Sequence, residues 1–311
     1  MKRILVFLAI TFALTWAYEF LVVYPLVDGD LLKGSSATTT LAIGAAMFFP
    51  AIGVVLTRLV TREGFGDCVI KPYPRRTSLP WFLVAWFGPG VLMALGALLY
   101  FLIFPGDFDP QATNYVQMTA AQMEAAGQPF VPPLNVGAVI LLQIAVGLFL
   151  GPALNIFTTF GEEWGWRGYL MPKLARHLRI VPTMLVTGVI WGLWHAPITA
   201  LGHNYGIGYP GWPFAGILAM CCFCTVCGIF LSYVTIRTGS CLAAAFGHGA
   251  LNALAAAPAM VAVAGVGPFV GPAPTGIIGG AGFIVAAAVM LWDLWRCERA
   301  GTLVVPQAGR P

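Results

Sequence analysis

Charge is what this 311-residue chain has least of: Asp, Glu, Lys and Arg make up 9% of it, against 59% hydrophobic residues. Soluble domains carry roughly 25% charged residues. A chain so poor in charge cannot cover a water-facing surface, so lipid is its expected solvent. No basic run with interleaved aromatics occurs, which excludes a nucleic-acid partner. The seven cysteines are odd in number and scattered, so they build no disulfide framework. Four of them, Cys221, Cys222, Cys224 and Cys227, share one apolar stretch without polar partners and read as small, soft packing residues. No internal repeat is evident, no soluble domain is inserted, and no His-Glu-x-x-His helix of the zinc proteases is present.

Long apolar runs take the place of these features. A membrane-spanning helix needs about 20 mostly apolar residues. Eight segments qualify: 4–27, 38–60, 80–104, 137–160, 181–202, 213–235, 241–265 and 275–295. The first, following Met1-Lys2-Arg3, is too long for a signal-peptide core and reads as a retained helix. The fold class is therefore all-α, a polytopic membrane helix bundle of about eight transmembrane helices. The whole chain, 1–311, forms one transmembrane domain with a short tail at 296–311. The longest connection, roughly 105–136, has room for a surface helix around Met118–Ala126.

The loops orient the bundle. Lys and Arg gather on the cytoplasmic side of membrane proteins. Every Lys and Arg except Lys33 falls before segment one, around the link between segments two and three, between segments four and five or six and seven, or after segment eight. Eight spans with both termini cytoplasmic is the simplest arrangement with that alternation, and a prokaryotic plasma membrane suits a chain of this size. The basic cluster Lys173, Arg176, His177 and Arg179 fits anionic headgroups. Trp164, Trp166 and Tyr169 fit an interfacial aromatic belt.

Ionisable groups inside a bilayer are costly and mark function by default. The stretch 161–170 reads Gly-Glu-Glu-Trp-Gly-Trp-Arg-Gly-Tyr-Leu. Glu163 and Arg167, four apart, share a helix face in the favourable order for an ion pair, which leaves Glu162 unexplained. Trp191 and His195 share a face of segment five. His248 and Asn252 share a face of segment seven, where Gly249 would let another backbone approach. Taken singly, each is explained by a helix-end salt bridge, a satisfied core histidine or an interhelical hydrogen bond. Folded together, they could form one wet cluster. A carboxylate and an imidazole can activate water, and a second imidazole and an amide can hold an oxyanion. Equally, Glu162, His195 and His248 could hold a zinc ion with an open position for water. The absence of a further strong ligand favours a site without tightly bound metal. Glu19, in segment one, reads as structural, and His203 and Asn204 as loop residues.

Glu-Glu-x-x-x-Arg at 162–167, aromatic-x-x-x-His at 191–195 and His-x-x-x-Asn at 248–252 occur in order on successive hydrophobic segments. This pattern resembles the CAAX-protease and bacteriocin-processing family of intramembrane proteases, which includes the type II CAAX prenyl endopeptidase. The resemblance covers roughly 137–260, the expected catalytic core, and departs at Trp191, where the family usually has Phe. It implies an intramembrane endopeptidase acting on a membrane-associated peptide, prenylated or not, near the cytoplasmic leaflet. It also implies that Glu162 activates the attacking water, with His195 steering the proton. His248 and Asn252 would stabilise the oxyanion, while Glu163 and Arg167 organise the site. Many members are called metalloproteases; the glutamate-only and metal mechanisms use nearly the same residues, so both stay open. The alternatives are a transporter or channel using these groups as a proton or ion path, which an inverted repeat would favour, and a non-catalytic scaffold, which has no need of all of them.

Drawn from these segments, the depths disagree: Glu162 sits near the cytoplasmic end of segment four, while His195 lies about 21 Å into segment five. Either segment four carries Glu162 deeper or segment five starts later.

Overall fold

The computed structural model describes residues 1–31 and 37–306. Lys33, and the tail beyond 306 with Arg310, lie outside them. Among the described residues the fold is a helical bundle without a strand; one isolated bridge pairs Phe108 with Ala262. Five helices are long and apolar enough to cross a membrane. These are α1 (Lys2–Val27), α2 (Ala37–Val60), α3 (Arg75–Ile103), α9 (Phe214–Thr238) and α10 (Cys241–Met260). Between α3 and α9 in the chain lie α4 (Thr113–Ala125), α5 (Val136–Phe149), α6 (Ile156–Gly165), α7 (Ile180–Trp194) and α8 (Ala196–Ala200). Helix α11 (Ala281–Arg299) closes the bundle. Each of the eight apolar segments contains helix, but the second, fourth, fifth and seventh are interrupted, and α5 and α7 are too short to cross alone. The surface helix of the long connection is α4, preceded by a loop in which Asp109 accepts hydrogen bonds from the backbone N–H of Gln111 and Thr113.

The break in segment four is local chemistry. Pro152 has no N–H to donate, and the Asn155 amide donates to the Gly151 carbonyl at 2.9 Å, competing with the helical ladder. The chain restarts as α6 and runs on through a π-helical turn, Trp166–Leu170, to Leu174. Segment four therefore does not end at 160. Glu162 lies twelve residues before Leu174, about 18 Å along the axis, which resolves the depth conflict: it sits well inside the bundle. In segment five the helix tightens at its end, with His195 N–H donating to Gly192 O. Pro197 then occupies the first turn of α8, where a missing N–H costs nothing.

Packing brings the site-bearing helices together. Helix α7 lies along α9, where a Cβ on Gly192 would come 2.4 Å from Cys221 Cα, so only glycine permits that approach. Helix α10 packs against α3, α6 and the short turn Gly151–Leu154. A Cβ on Gly249 would meet Pro152 O at 3.0 Å, so α10 does receive another backbone at Gly249. The Thr159 hydroxyl, donating to Ala245 O at 2.9 Å, ties α6 to α10. Trp166 and Tyr169 do not form an interfacial belt: both are buried in the main core, Trp166 edge-on and Tyr169 tilted against Phe7.

Charge separates the two ends of the bundle. At one end the amino terminus contacts His177, Arg3 and Lys173 pair with Glu63, and Ile180 N–H donates to Glu298. At the other, Leu31 N–H donates to Leu201 O and Asp109 N–H to Val261 O. Among the described residues all Lys and Arg except the internal Arg167 belong to the first end, while Asp28, Asp30, Asp107, Asp109 and Glu124 belong to the second.

Candidate active site

Glu162 and Glu163 are adjacent on α6, yet they face different partners. Both are buried. Glu163 points toward Arg167 and α10: Arg167 donates to both of its oxygens, at 2.8 and 2.9 Å, and His248 Nδ1 lies 2.9 Å from Oε1. A carboxylate accepts only, so His248 carries its proton on Nδ1 and keeps Nε2 for another partner. Glu162 accepts one hydrogen bond, from Trp191 Nε1 at 2.8 Å. The Arg167 guanidinium lies over the Trp191 ring, 4.2 Å from its centroid. One buried arginine thus pins the carboxylate that holds His248 and the indole that holds Glu162.

His195 sits where segment five breaks. Tightening of the helix end leaves the Trp191 carbonyl without its usual i+4 partner, and His195 Nδ1 takes it at 2.9 Å. The ring therefore donates through Nδ1 and leaves Nε2 free to accept when neutral. It packs edge-on against Trp194 and parallel to His203, at centroid distances of 4.7 and 6.3 Å. No direct hydrogen bond joins Glu162 to His195 among the described residues; the Trp191 side chain bonds the first and its carbonyl the second.

Glu162, His195, His248, Asn252 and Trp191 line one cavity of about 290 Å³. Asn252 is exposed to it, while Glu162 and His248 are almost wholly buried. The expected site residues are brought together, with Glu163 and Arg167 directly behind them.

Residues 143–254, which carry all of these groups but none of the first three long helices, match the family model described as "Rce1-like: Type II CAAX prenyl endopeptidase Rce1-like". The chain is similar to Rce1-like endopeptidases. A curated relative, CAAX prenyl protease 2 of Methanococcus maripaludis, is 27% identical over a stretch covering 22% of this chain and 33% of the relative. The match thus spans about a third of that protein's length. No solved structure matches the chain.

Outside the Rce1-like stretch the cavity has a wall that motif reading missed. Glu19, assigned a structural role by sequence, lines it. This residue opens a π-helical turn, Glu19–Val23, in α1; it is 1% exposed, and its Oε2 has no hydrogen-bond partner among the described residues. Such turns often occur at functional sites. His203 and Asn204, read as loop residues and lying inside the matched stretch, also line the cavity. The signal for Glu19 was its charge within an apolar run; what was missing was the tertiary contact. Within the Rce1-like stretch, Cys221, Cys224 and Cys227 are buried free thiols, as packing residues would be, whereas Cys222 is exposed. Cys224 reaches the site, its Sγ 3.8 Å from His195 Nδ1.

Glu162, His195 and His248 are the residues that would hold zinc, but among the described residues no group of three His, Cys, Asp or Glu side chains is arranged to hold a metal ion. His248 and His195 each donate Nδ1–H to a protein acceptor and keep Nε2, the orientation a histidine ligand also adopts.

Proposed function

We propose that the chain is an intramembrane endopeptidase that hydrolyses a peptide bond of a membrane-associated substrate with water activated by Glu162. The observation that carries this reading is the convergence of Glu162, His195, His248 and Asn252 on one cavity. The likeness of residues 143–254 to the Rce1-like family supports it.

With Oε2 engaged by Trp191, the remaining acceptor capacity of the Glu162 carboxylate serves a water. As the water oxygen bonds to the substrate carbonyl carbon, its proton passes to Glu162. The carbonyl oxygen becomes an oxyanion, held by the Asn252 amide and by Nε2–H of a protonated His248 whose Nδ1–H rests on Glu163. The C–N bond then breaks as the leaving amine takes the proton from Glu162, giving a new carboxylic acid, which loses its remaining proton to solvent, and a free amine. His195 Nε2 accepts a hydrogen bond from the water and orients it. Water reaches a site inside an apolar bundle only because the cavity brings it there.

The decisive experiment reconstitutes the purified protein in liposomes with a library of membrane-anchored peptides, prenylated and unprenylated, and compares it with Glu162→Gln. Cleavage by the native protein and none by the variant is the expected result. Equal cleavage by both would discard the assignment.

A further inference from the structure

The two charged ends of the bundle set the direction from which the cavity is reached. The end that gathers Lys and Arg is the cytoplasmic one by the charge rule for membrane proteins. The cavity lies away from it. Ala255, near the far end of α10, His203 and Asn204, in the turns after α8, and Thr275, in the loop before α11, line its outer part. All four belong to the end that carries Asp107 and Asp109 and, among the described residues, no Lys or Arg. Glu19 agrees, being seventeen residues beyond Lys2 on α1, or about 25 Å from the basic end. Toward the basic end the cavity is closed by Arg167, Glu163 and Trp191, all buried. This is the reverse of the sequence expectation, which placed the chemistry near the cytoplasmic leaflet.

We infer that the cavity is reached from the extracytoplasmic face, and that the peptide it takes is one displayed on the outer side of the membrane. The identity of the occupant as a peptide rests on the endopeptidase reading; the direction of access does not. The direction rests on where the basic loops lie and on which loops line the cavity.

Three single-cysteine variants test it in intact cells with a membrane-impermeant maleimide. Their background replaces the accessible native thiols Cys68, Cys222 and Cys297 by serine. Ala255→Cys reports the cavity, Gln111→Cys the acidic end and Lys71→Cys the basic end. The expected pattern is labelling of Ala255→Cys and Gln111→Cys on intact cells, and of Lys71→Cys only after permeabilisation. The reverse pattern overturns the inference. So does an Ala255→Cys variant that resists the reagent on both sides, because the cavity would then be closed at that end. A second measurement adds an impermeant reporter peptide outside spheroplasts. Cleavage there, absent in Glu162→Gln, supports the substrate assignment, and cleavage only after permeabilisation overturns it. Failure to cleave in every arm, with the expected labelling, would fault the endopeptidase reading and leave the direction of access standing.

Discussion

Two buried carboxylates, Glu63 and Glu162, are treated in opposite ways. Glu63, at the basic end, is saturated: Lys173 and Arg58 approach Oε1, while Arg3 and the Tyr169 hydroxyl approach Oε2. Among the described residues Glu162, in the cavity, has a single hydrogen-bond donor, and nearby Glu19 keeps an oxygen without a partner. Burying a charge is costly unless it is paired. A bundle that satisfies one carboxylate fully and leaves another open is using the first for stability and keeping the second available for an incoming donor.

The comparison predicts a separation of activity from stability. Glu162→Gln preserves size and can still accept from Trp191, so cleavage should fall by about 10²–10⁴-fold, the usual worth of a general base. Its melting temperature in detergent should hardly move. A variant that unfolds instead would put Glu162 in the same class as Glu63. Glu63→Ala should do the opposite, destabilising the fold by roughly 3–5 kcal/mol through its abandoned cations while the folded fraction cleaves normally. Denaturation monitored alongside activity per folded molecule separates the two. Trp191→Phe keeps the ring under Arg167 and removes only the N–H on Glu162. A charge-assisted hydrogen bond of about 1.5–3 kcal/mol corresponds to roughly a 10–100-fold loss in kcat. Unchanged kcat would show that the indole merely fills space. Glu19→Gln should have the smallest effect, below about tenfold and mainly in KM, since that side chain contacts the cavity outside the reacting cluster. A loss as large as that of Glu162→Gln would move Glu19 into the chemistry.

The same contrast explains what could be read from the sequence. Ionisable residues in apolar helices stand out, so Glu162, Glu163, Arg167, His195 and His248 were visible, and the i,i+4 pairing of Glu163 with Arg167 follows from helical spacing. The helices themselves were visible as apolar runs. Their interruptions were not, because hydropathy stays high across Pro152 and Pro197 while the hydrogen-bond ladder changes. Misplacing the end of segment four put Glu162 too shallow. The contacts of Trp191 with Glu162 and of His248 with Glu163 join different helices, as does the approach of Glu19 to the cavity. No periodicity within one helix encodes them.

The buried Arg167 has a further consequence for permeation. A conduit needs two mouths and a continuous polar path, and this cavity is shut on its inner side by a fixed guanidinium, the carboxylate that neutralises it and the indole it stacks on. A cation moving from the cavity toward the basic end would have to pass that positive charge at close range, a barrier of the kind that lets channel arginines exclude cations. On the proposed endopeptidase reading, the residue that braces the site against distortion would also seal the bundle beneath it, so that water could be admitted for hydrolysis without opening a leak.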